Sequence, residues 1–187
     1  MIKNINQQNS NFKILISTEC LRLRRFNIYD IKSSYLSWLN SPLVTRFSNQ
    51  RFQIHTEETS RKYLHSFQNT VNDFILIEQL VDNIPIGTMT VYRNNHHGTA
   101  DIGLMIGSQS CWGKGFGYEA WQAMLDCLLS EKGIRKVTGG TARPNQAMVR
   151  IMEKSGMKLE AVRARQEIIE GQTVDLLYYA RFSEEIA

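Results

Sequence analysis

Three alternating glycines stand directly before the longest helical pattern of the chain, and this placement restricts the fold more than any other feature. Gly113, Gly115 and Gly117 lie in the segment WGKGFGYEA. Downstream of them, apolar residues recur at helical spacing, which predicts a helix over residues 117–132 that ends at Gly133. The chain therefore needs a loop of unusual backbone freedom at a helix start.

The pattern before this loop, TADIGLMIG, alternates as a strand does. Glycines between a strand and a helix let backbone N–H groups approach a ligand, and the helix N-terminus adds unpaired donors and partial positive charge. This arrangement predicts a phosphate cradle, although a loop that needs positive φ and binds nothing has the same sequence. Neither GxGxxG with its later acidic residue nor GxxxxGK[ST] is present, which excludes both of these nucleotide sites.

The other patterns indicate one α/β domain, which the length of 187 residues also favours. Strand patterns at 14–16 and 21–26 precede a helix that Pro42 ends, a loop over 42–55 and a second helix capped by Thr56. Three strands, the long helix, a strand, a helix capped by Asn145 and a final hairpin follow. The order ββ-α-α-βββ-α-β-α-ββ predicts a mixed, mostly antiparallel sheet with helices on both faces. We assign 1–18 to a polar N-terminal leader and 19–187 to the domain.

Composition narrows the function classes. The chain has 22 Lys and Arg against 18 Asp and Glu, a net charge of +4. The excess positive charge is distributed along the chain, which suits a small anionic ligand and does not require a nucleic-acid partner. Cys20, Cys111 and Cys127 form no CxxC pair, so neither a disulfide framework nor a metal site is expected. No secretory signal or membrane span is predicted, which indicates a cytoplasmic protein without a membrane partner.

Further motifs follow the glycines in a fixed order. TADIG and WGKGFGYEA precede ARPNQAMVRIMEKSGM, about 30 residues further on. In this order they resemble the GCN5-related N-acetyltransferase (GNAT) superfamily, and in particular the branch of the ribosomal-protein N-terminal acetyltransferases. The resemblance covers residues 18–182. It implies a GNAT-like fold with a splayed central strand pair, and an acetyl-CoA-dependent transfer to an amine.

The resemblance also implies where acetyl-CoA binds. The pyrophosphate would lie on the glycine loop, and pantetheine between the strand that ends at Ile106 and the strand over 137–142. Met152 stands where many members have a tyrosine acid, so no general acid is transferred to this chain. For Lys114, the alternative to binding a phosphate is an ordinary solvated surface lysine. For Tyr118, the alternative to a role in the site is a residue that only packs. The implied cofactor-binding residues are Met105, Ile106, Trp112, Gly113, Lys114, Gly115, Phe116, Gly117, Tyr118 and Asn145.

Asp101 is the candidate catalytic residue. Period two places it on one strand face with Gly103 and Met105, opposite Ile102 and Leu104. An alkylammonium with a pKa of about 10 must lose a proton before it can attack, and family members often carry an acidic residue here. The alternative is a carboxylate that bonds backbone or orients the acceptor amine.

The acceptor is expected to bind the first two helices and the loop between them, where Arg46 and Arg51 are candidates for binding an anionic group. The segments YLSWLNSPLVTRF and TADIGLMIG resemble members that acetylate small amines, including amino sugars attached to nucleotides. Two alternatives stay open: a peptide or ribosomal-protein N-terminus as acceptor, and a non-catalytic acyl-CoA-binding module. The superfamily also allows a homodimer.

Overall fold

A computed structural model describes residues 14–183 of the chain. Its eight strands form one sheet in the order β1-β2-β3-β4-β5-β6-β8-β7. The strands are β1 (Ile14–Ser17), β2 (Leu21–Arg25), β3 (Asp73–Gln79), β4 (Pro85–Asn94), β5 (Thr99–Ile106), β6 (Lys136–Ala142), β7 (Lys158–Ile169) and β8 (Gln172–Phe182). The helices are α1 (Ser33–Leu39), α2 (Pro42–Thr45), α3 (Glu57–His65), α4 (Phe116–Leu129) and α5 (Gln146–Lys154).

The pairing of β5 with β6 is the single parallel contact in the described sheet, and it is short. It ends at Asp101 and Thr138, although β5 runs on to Ile106 and β6 to Ala142. The two strands therefore separate beyond this point. The predicted mixed, mostly antiparallel sheet with a splayed central pair is confirmed.

Helices cover both faces of the sheet, as predicted. On one face, α4 and α5 pack through Trp121, Leu125 and Met152 into a cluster of aliphatic strand residues. Gly139 on β6 lies so close to α4 that a Cβ would come within 2.7 Å of the Trp121 ring. The close approach of helix and sheet therefore requires glycine there.

The other face carries α1 and α3 on a cluster of aromatic side chains. Phe74 of β3 stacks on Phe26 with 4.4 Å between the ring centroids. Tyr63 of α3 contacts the Phe74 ring edge-on, with 5.3 Å between the centroids. Tyr35 and Trp38 of α1 complete the buried part of the cluster. These rings hold α1 and α3 over β3 and thereby define one side of a cavity described below.

Two element boundaries differ from the sequence prediction. The loop predicted over 42–55 contains α2 and a 3₁₀ turn, Asn49–Phe52. Pro42 begins α2 because proline, whose φ is already helical, is well suited to the first helical position. The long helix covers Phe116–Leu129 in place of 117–132.

The leader assigned to residues 1–18 lies largely outside the described residues. Its last part includes β1, which pairs with β2 and contributes the buried Ile16 to the core. Among the described helices, none has the length and apolar character needed to span a membrane.

Candidate active site

The glycine loop has the backbone conformation that its sequence suggests. Gly113 and Gly115 have φ values of 74° and 89°, a region that residues with a Cβ rarely adopt. A Cβ built on either glycine would meet no heavy atom within 4 Å. Both glycines are therefore required by backbone geometry, and the space beside them is open to a ligand.

Unpaired N–H groups accompany this open space. Gly115 is the N-cap of α4 and provides no side-chain cap, and the first bond of the helix runs from the N–H of Glu119 to the Gly115 carbonyl at 3.0 Å. Within residues 14–183, the backbone N–H groups of 113–118 have no protein acceptor. Together with the helix dipole, these donors form a site suited to an anion such as a pyrophosphate.

Gly117 sets the distance between α4 and the splayed end of β5. A Cβ there would lie 3.2 Å from Ile151 Cδ1 and 3.5 Å from Ile106 Cγ1. The neighbouring Phe116 packs against the core. The start of α4 is thus held close to the strand end that the resemblance assigns to pantetheine.

Trp112 connects the glycine loop to the same strand end. Its indole Nε1 donates a 2.7 Å hydrogen bond to the Ile106 carbonyl, while the side chain is 41% exposed. The indole N–H is therefore engaged with protein and is not free to donate to a pyrophosphate. Lys114 is exposed. Lys154 Nζ lies over the Tyr118 ring, 4.1 Å from its centroid, which is a cation–π contact.

Asn145 begins α5 as predicted. Its Oδ1 accepts a 3.4 Å bond from the Met148 N–H, and its Nδ2 donates a 3.0 Å bond to Thr141 Oγ1 on β6. Asn145 therefore joins the helix start to the splayed part of β6. Met152, at the position of the tyrosine that many family members have, is fully buried in the core.

Asp101 lies at the last residue pair of β5 and β6. Thr138 Oγ1 donates a 2.6 Å hydrogen bond to Asp101 Oδ2. Asp101 is an exposed residue, yet desolvation by the surrounding protein raises the pKa of its carboxyl above the usual value, and the Thr138 bond opposes this rise. Ile102 packs into the core on the opposite face of the strand, so the alternation predicted for β5 is confirmed.

A cavity of about 410 Å³ lies on the Asp101 face of β5, between the sheet and α1 and α3. Gly103 and Met105, which share the strand face of Asp101, line it. Its other lining residues are Tyr35, Leu39, Ser48, Gln50, Gln53, His55, Thr59, Ser60, Tyr63, Phe74, Thr88, Met89, Thr90 and Leu104.

Sequence reasoning missed most of these cavity residues. His55 looked like one of several scattered histidines, and Ser60 gave no signal because its environment depends on how α3 packs. One signal was available: Thr88 and Thr90 alternate with the buried Met89, which indicates a polar strand face.

Arg46 and Arg51 are the candidates for binding an anionic group, and the structure pairs both with the β7–β8 hairpin. Arg46 forms a 2.7 Å ion pair with Glu170. Arg51 donates to the carbonyls of Ser48 and Ile168 at 2.8 and 3.2 Å. Both guanidinium groups thus connect the β7–β8 hairpin to the segment between α1 and α3.

The cysteines lie apart. Cys111, immediately before the glycine loop, is buried and donates a 3.2 Å bond to Gln79 Oε1, while Cys20 is exposed and Cys127 half-buried. The residues from 14 to 183 contain no group of three or more His, Cys, Asp or Glu arranged to hold a metal ion.

Comparisons with known proteins agree with this geometry. Residues 21–158 match the acetyltransferase (GNAT) domain family. The N-acetyltransferase p20 of Bacillus licheniformis is 23% identical over 177 residues, which cover 91% of this chain and 97% of that protein.

Solved structures have the same fold. A GNAT-family acetyltransferase from Bacillus anthracis superposes with a TM-score of 0.77 at 23% identity, covering 92% of this chain and 99% of that one. A RimL ribosomal-protein alpha-N-acetyltransferase in complex with coenzyme A gives 0.76 at 20% identity, covering 88% and 95%. Spermidine N-acetyltransferase from Vibrio cholerae, in complex with CoA and spermine, gives 0.77 at 17% identity, covering 87% and 95%.

The family match over residues 21–158 covers most of the chain. The chain belongs to the GNAT family of N-acetyltransferases, enzymes that take their acetyl group from acetyl-CoA.

Proposed function

We propose that the protein acetylates the primary amine of a small molecule and that Asp101 is its general base. One observation carries this proposal: Asp101 lies where β5 and β6 separate, on the strand face that lines the 410 Å³ cavity. The amine of a cavity-bound acceptor can reach the carboxylate there. Acetyl-CoA supplies the acetyl group as a thioester, and the amine attacks it directly in a ternary complex.

Acetyl-CoA is held mainly by backbone in this proposal. The N–H groups of Gly113, Lys114, Gly115, Phe116, Gly117 and Tyr118 face the pyrophosphate. The pantetheine arm lies between Met105 and Ile106 of β5 and the separated end of β6. Trp112 fixes the loop, and Asn145 lines the β6 side of the gap. The open space beside both positive-φ glycines supports this assignment.

Asp101 removes a proton from the ammonium form of the acceptor, directly or through one water. The raised pKa of Asp101 increases its affinity for that proton. In the competing role, Asp101 only orients the amine. Replacing it in Asp101→Asn would then leave the acidic limb of the pH dependence of kcat unchanged. The CoA thiol, with a pKa of about 8.5, is a tolerable leaving group that solvent can protonate, so the proposal needs no acid at Met152.

The acceptor is an amino sugar or its nucleotide in this proposal. Support comes from the cavity, which is large enough for a sugar ring and rich in hydroxyl and amide groups. A peptide or ribosomal-protein N-terminus is the alternative acceptor, and a non-catalytic acyl-CoA-binding module is the alternative function. A homodimer is a separate proposal, for which the outermost strand β7 offers an edge, and light scattering on the full chain tests it.

The test measures thiol release from acetyl-CoA with amino sugars, nucleotide-linked amino sugars, polyamines and peptides. We expect turnover with amino sugars and a loss of kcat in Asp101→Asn. Asp82→Asn, an exposed carboxylate in the β3–β4 turn, is the matched control and should keep full activity. Tight acetyl-CoA binding without turnover of any amine would favour the non-catalytic module.

A further inference from the structure

Two cationic side chains of α5 share one face of the helix and have no acidic partner among the described residues. Arg150 and Lys154 are exposed, and neither forms an ion pair or a side-chain hydrogen bond within residues 14–183. They are four residues apart, a spacing at which like charges on a helix repel each other. The neighbouring acid in the sequence, Glu153, instead accepts a 3.1 Å hydrogen bond from the Tyr179 hydroxyl. Two positive charges are therefore available to an anion from outside the chain.

Contacts between α4 and α5 place these charges beside the glycine loop. Ile151 Cδ1 lies 3.2 Å from the position of a Cβ on Gly117, so this face of α5 meets the start of α4. Lys154, three residues further on, is the next side chain on that face, and its Nζ lies 4.1 Å from the centroid of the Tyr118 ring. The backbone N–H of Tyr118 is one of the free donors of the glycine loop. Tyr118 therefore connects the donor site, through its backbone, with Lys154, through its ring.

The other flank of the α4 start carries negative charge. Glu119 Oε1 accepts hydrogen bonds from Thr18 Oγ1 at 2.6 Å and from the Cys20 N–H at 2.8 Å, which holds the turn between β1 and β2 against α4. Glu19 is exposed in the same turn. The charge of Glu119, desolvation and the charge of Glu19 together raise the pKa of the Cys20 thiol. A second anionic group of a ligand on the glycine loop is therefore repelled on this flank and attracted on the α5 flank.

The covalent structure of CoA supplies such a second group. Its ribose carries the pyrophosphate on the 5′ oxygen and a phosphate monoester on the 3′ oxygen, so the two groups are held close together on one ring. A phosphate monoester has about 1.5 to 2 negative charges at pH 7. A pyrophosphate on the glycine loop therefore brings the 3′-phosphate to one flank of the α4 start, and only the α5 flank offers it cations among the contacts described above.

We infer that Lys154, together with Arg150, binds the 3′-phosphate of CoA and makes the protein discriminate CoA from its 3′-dephospho form. The inference rests on the proposed function, because it assumes that the pyrophosphate lies on the glycine loop. The competing role for Lys154 is a stabilising charge in the last turn of α5, where the helix dipole favours a cation. That role alone predicts a lower Tm when the charge is removed and no preference between the two forms of CoA.

Calorimetry with CoA and with 3′-dephospho-CoA at low ionic strength tests the inference and needs no knowledge of the acceptor. We expect the wild-type protein to bind CoA about three- to tenfold more tightly, the range for ion pairs between exposed groups when two cations contribute. Lys154→Met should lose most of this preference by weakening CoA alone, whereas Lys154→Arg keeps the charge and should keep the preference. Salt at about 0.5 M should reduce the wild-type preference, because it screens exposed charges.

Lys132→Met is the matched control, because it removes the same charge from an exposed lysine just beyond the far end of α4. The helix separates it from the glycine loop by about 20 Å, so both Kd values should stay unchanged. Equal weakening of CoA and 3′-dephospho-CoA in Lys154→Met would place this lysine at the pyrophosphate and would overturn the inference. A lowered Tm with an unchanged preference for CoA would assign Lys154 to the end of α5 and would also overturn it.

The wild-type measurements separate this inference from the proposed function. If the wild-type protein bound neither form of CoA, the assignment of the glycine loop to the pyrophosphate would fail, and the inference would fail with it. If it bound both forms with equal Kd, the inference alone would be overturned, and the glycine loop would remain the CoA site. A preference for CoA that Lys154→Met removes and Lys132→Met leaves intact would support the inference.

Discussion

The Thr138 hydroxyl donates a 2.6 Å hydrogen bond to Asp101 Oδ2 at the last residue pair before β5 and β6 separate. The separation of the strands and the carboxylate thus meet at one point of the sheet. A cosubstrate between the separated strands and an acceptor in the cavity would both approach this carboxylate. The bond also adjusts the acidity of Asp101, because it stabilises the charged form that desolvation disfavours.

Thr138→Val should move the acidic limb of the pH dependence of kcat/KM to higher pH. The substitution removes the bond that lowers the pKa of Asp101, so desolvation acts unopposed and the base is protonated at a higher pH. Initial rates measured from acidic to neutral pH locate the limb. Thr138→Ser keeps a hydroxyl and should keep the wild-type profile, and an unshifted limb in Thr138→Val would argue that Asp101 is not the base.

Gly115→Asp should abolish or greatly weaken acetyl-CoA binding. The residue lies at the N-cap of α4 with a φ of 89°, and an aspartate there would bring a negative charge beside the proposed pyrophosphate site. We expect a loss of at least about tenfold in Kd by calorimetry, the effect of 1.4 kcal/mol. The control is Gly171→Asp, in the β7–β8 turn, with a similar φ of 77° and open space around its Cβ position. Equally weakened acetyl-CoA binding in both variants would indicate that backbone strain, and not the loss of an anion site, causes the effect.

Trp112→Phe should weaken acetyl-CoA binding modestly while leaving the Tm nearly unchanged. Phenylalanine keeps an aromatic ring but cannot donate to the Ile106 carbonyl, so the loop loses its connection to the end of β5. One neutral hydrogen bond contributes about 0.5–1.5 kcal/mol, which corresponds to about a two- to tenfold change in Kd if loop order is required for binding. An unchanged Kd would mean that the loop keeps its conformation without this bond.

The local parts of the site could be predicted from the sequence. The glycine loop and the start of α4 depend on residues that are neighbours in the chain, so glycine spacing and helical periodicity were sufficient. The face of Asp101 followed from strand alternation, because Ile102 must enter the core.

The parts that depend on distant elements could not be predicted. Arg46 pairs with Glu170, 124 residues away, and no pattern near Arg46 signals that partner. The cavity is lined by residues of distant elements, among them Ser60 of α3 and Thr90 of β4, and each residue alone looks like an ordinary polar surface position. Only the packing of α1 and α3 on the aromatic cluster around Phe74 brings them together.

Asn145→Ala and Asn145→Ser together should separate the structural and cofactor roles of this residue. Alanine loses the cap of α5, which costs about 1 kcal/mol of stability, whereas serine retains an N-cap oxygen. Both variants lose the Nδ2 donor that now reaches Thr141 Oγ1 on the separated part of β6. If the amide contributes to the CoA site, calorimetry should give weaker acetyl-CoA binding in both variants. Thermal unfolding should then show a lowered Tm only in Asn145→Ala. Binding that falls only in alanine, in step with its Tm, would assign Asn145 to capping and leave the CoA site to the backbone of the glycine loop.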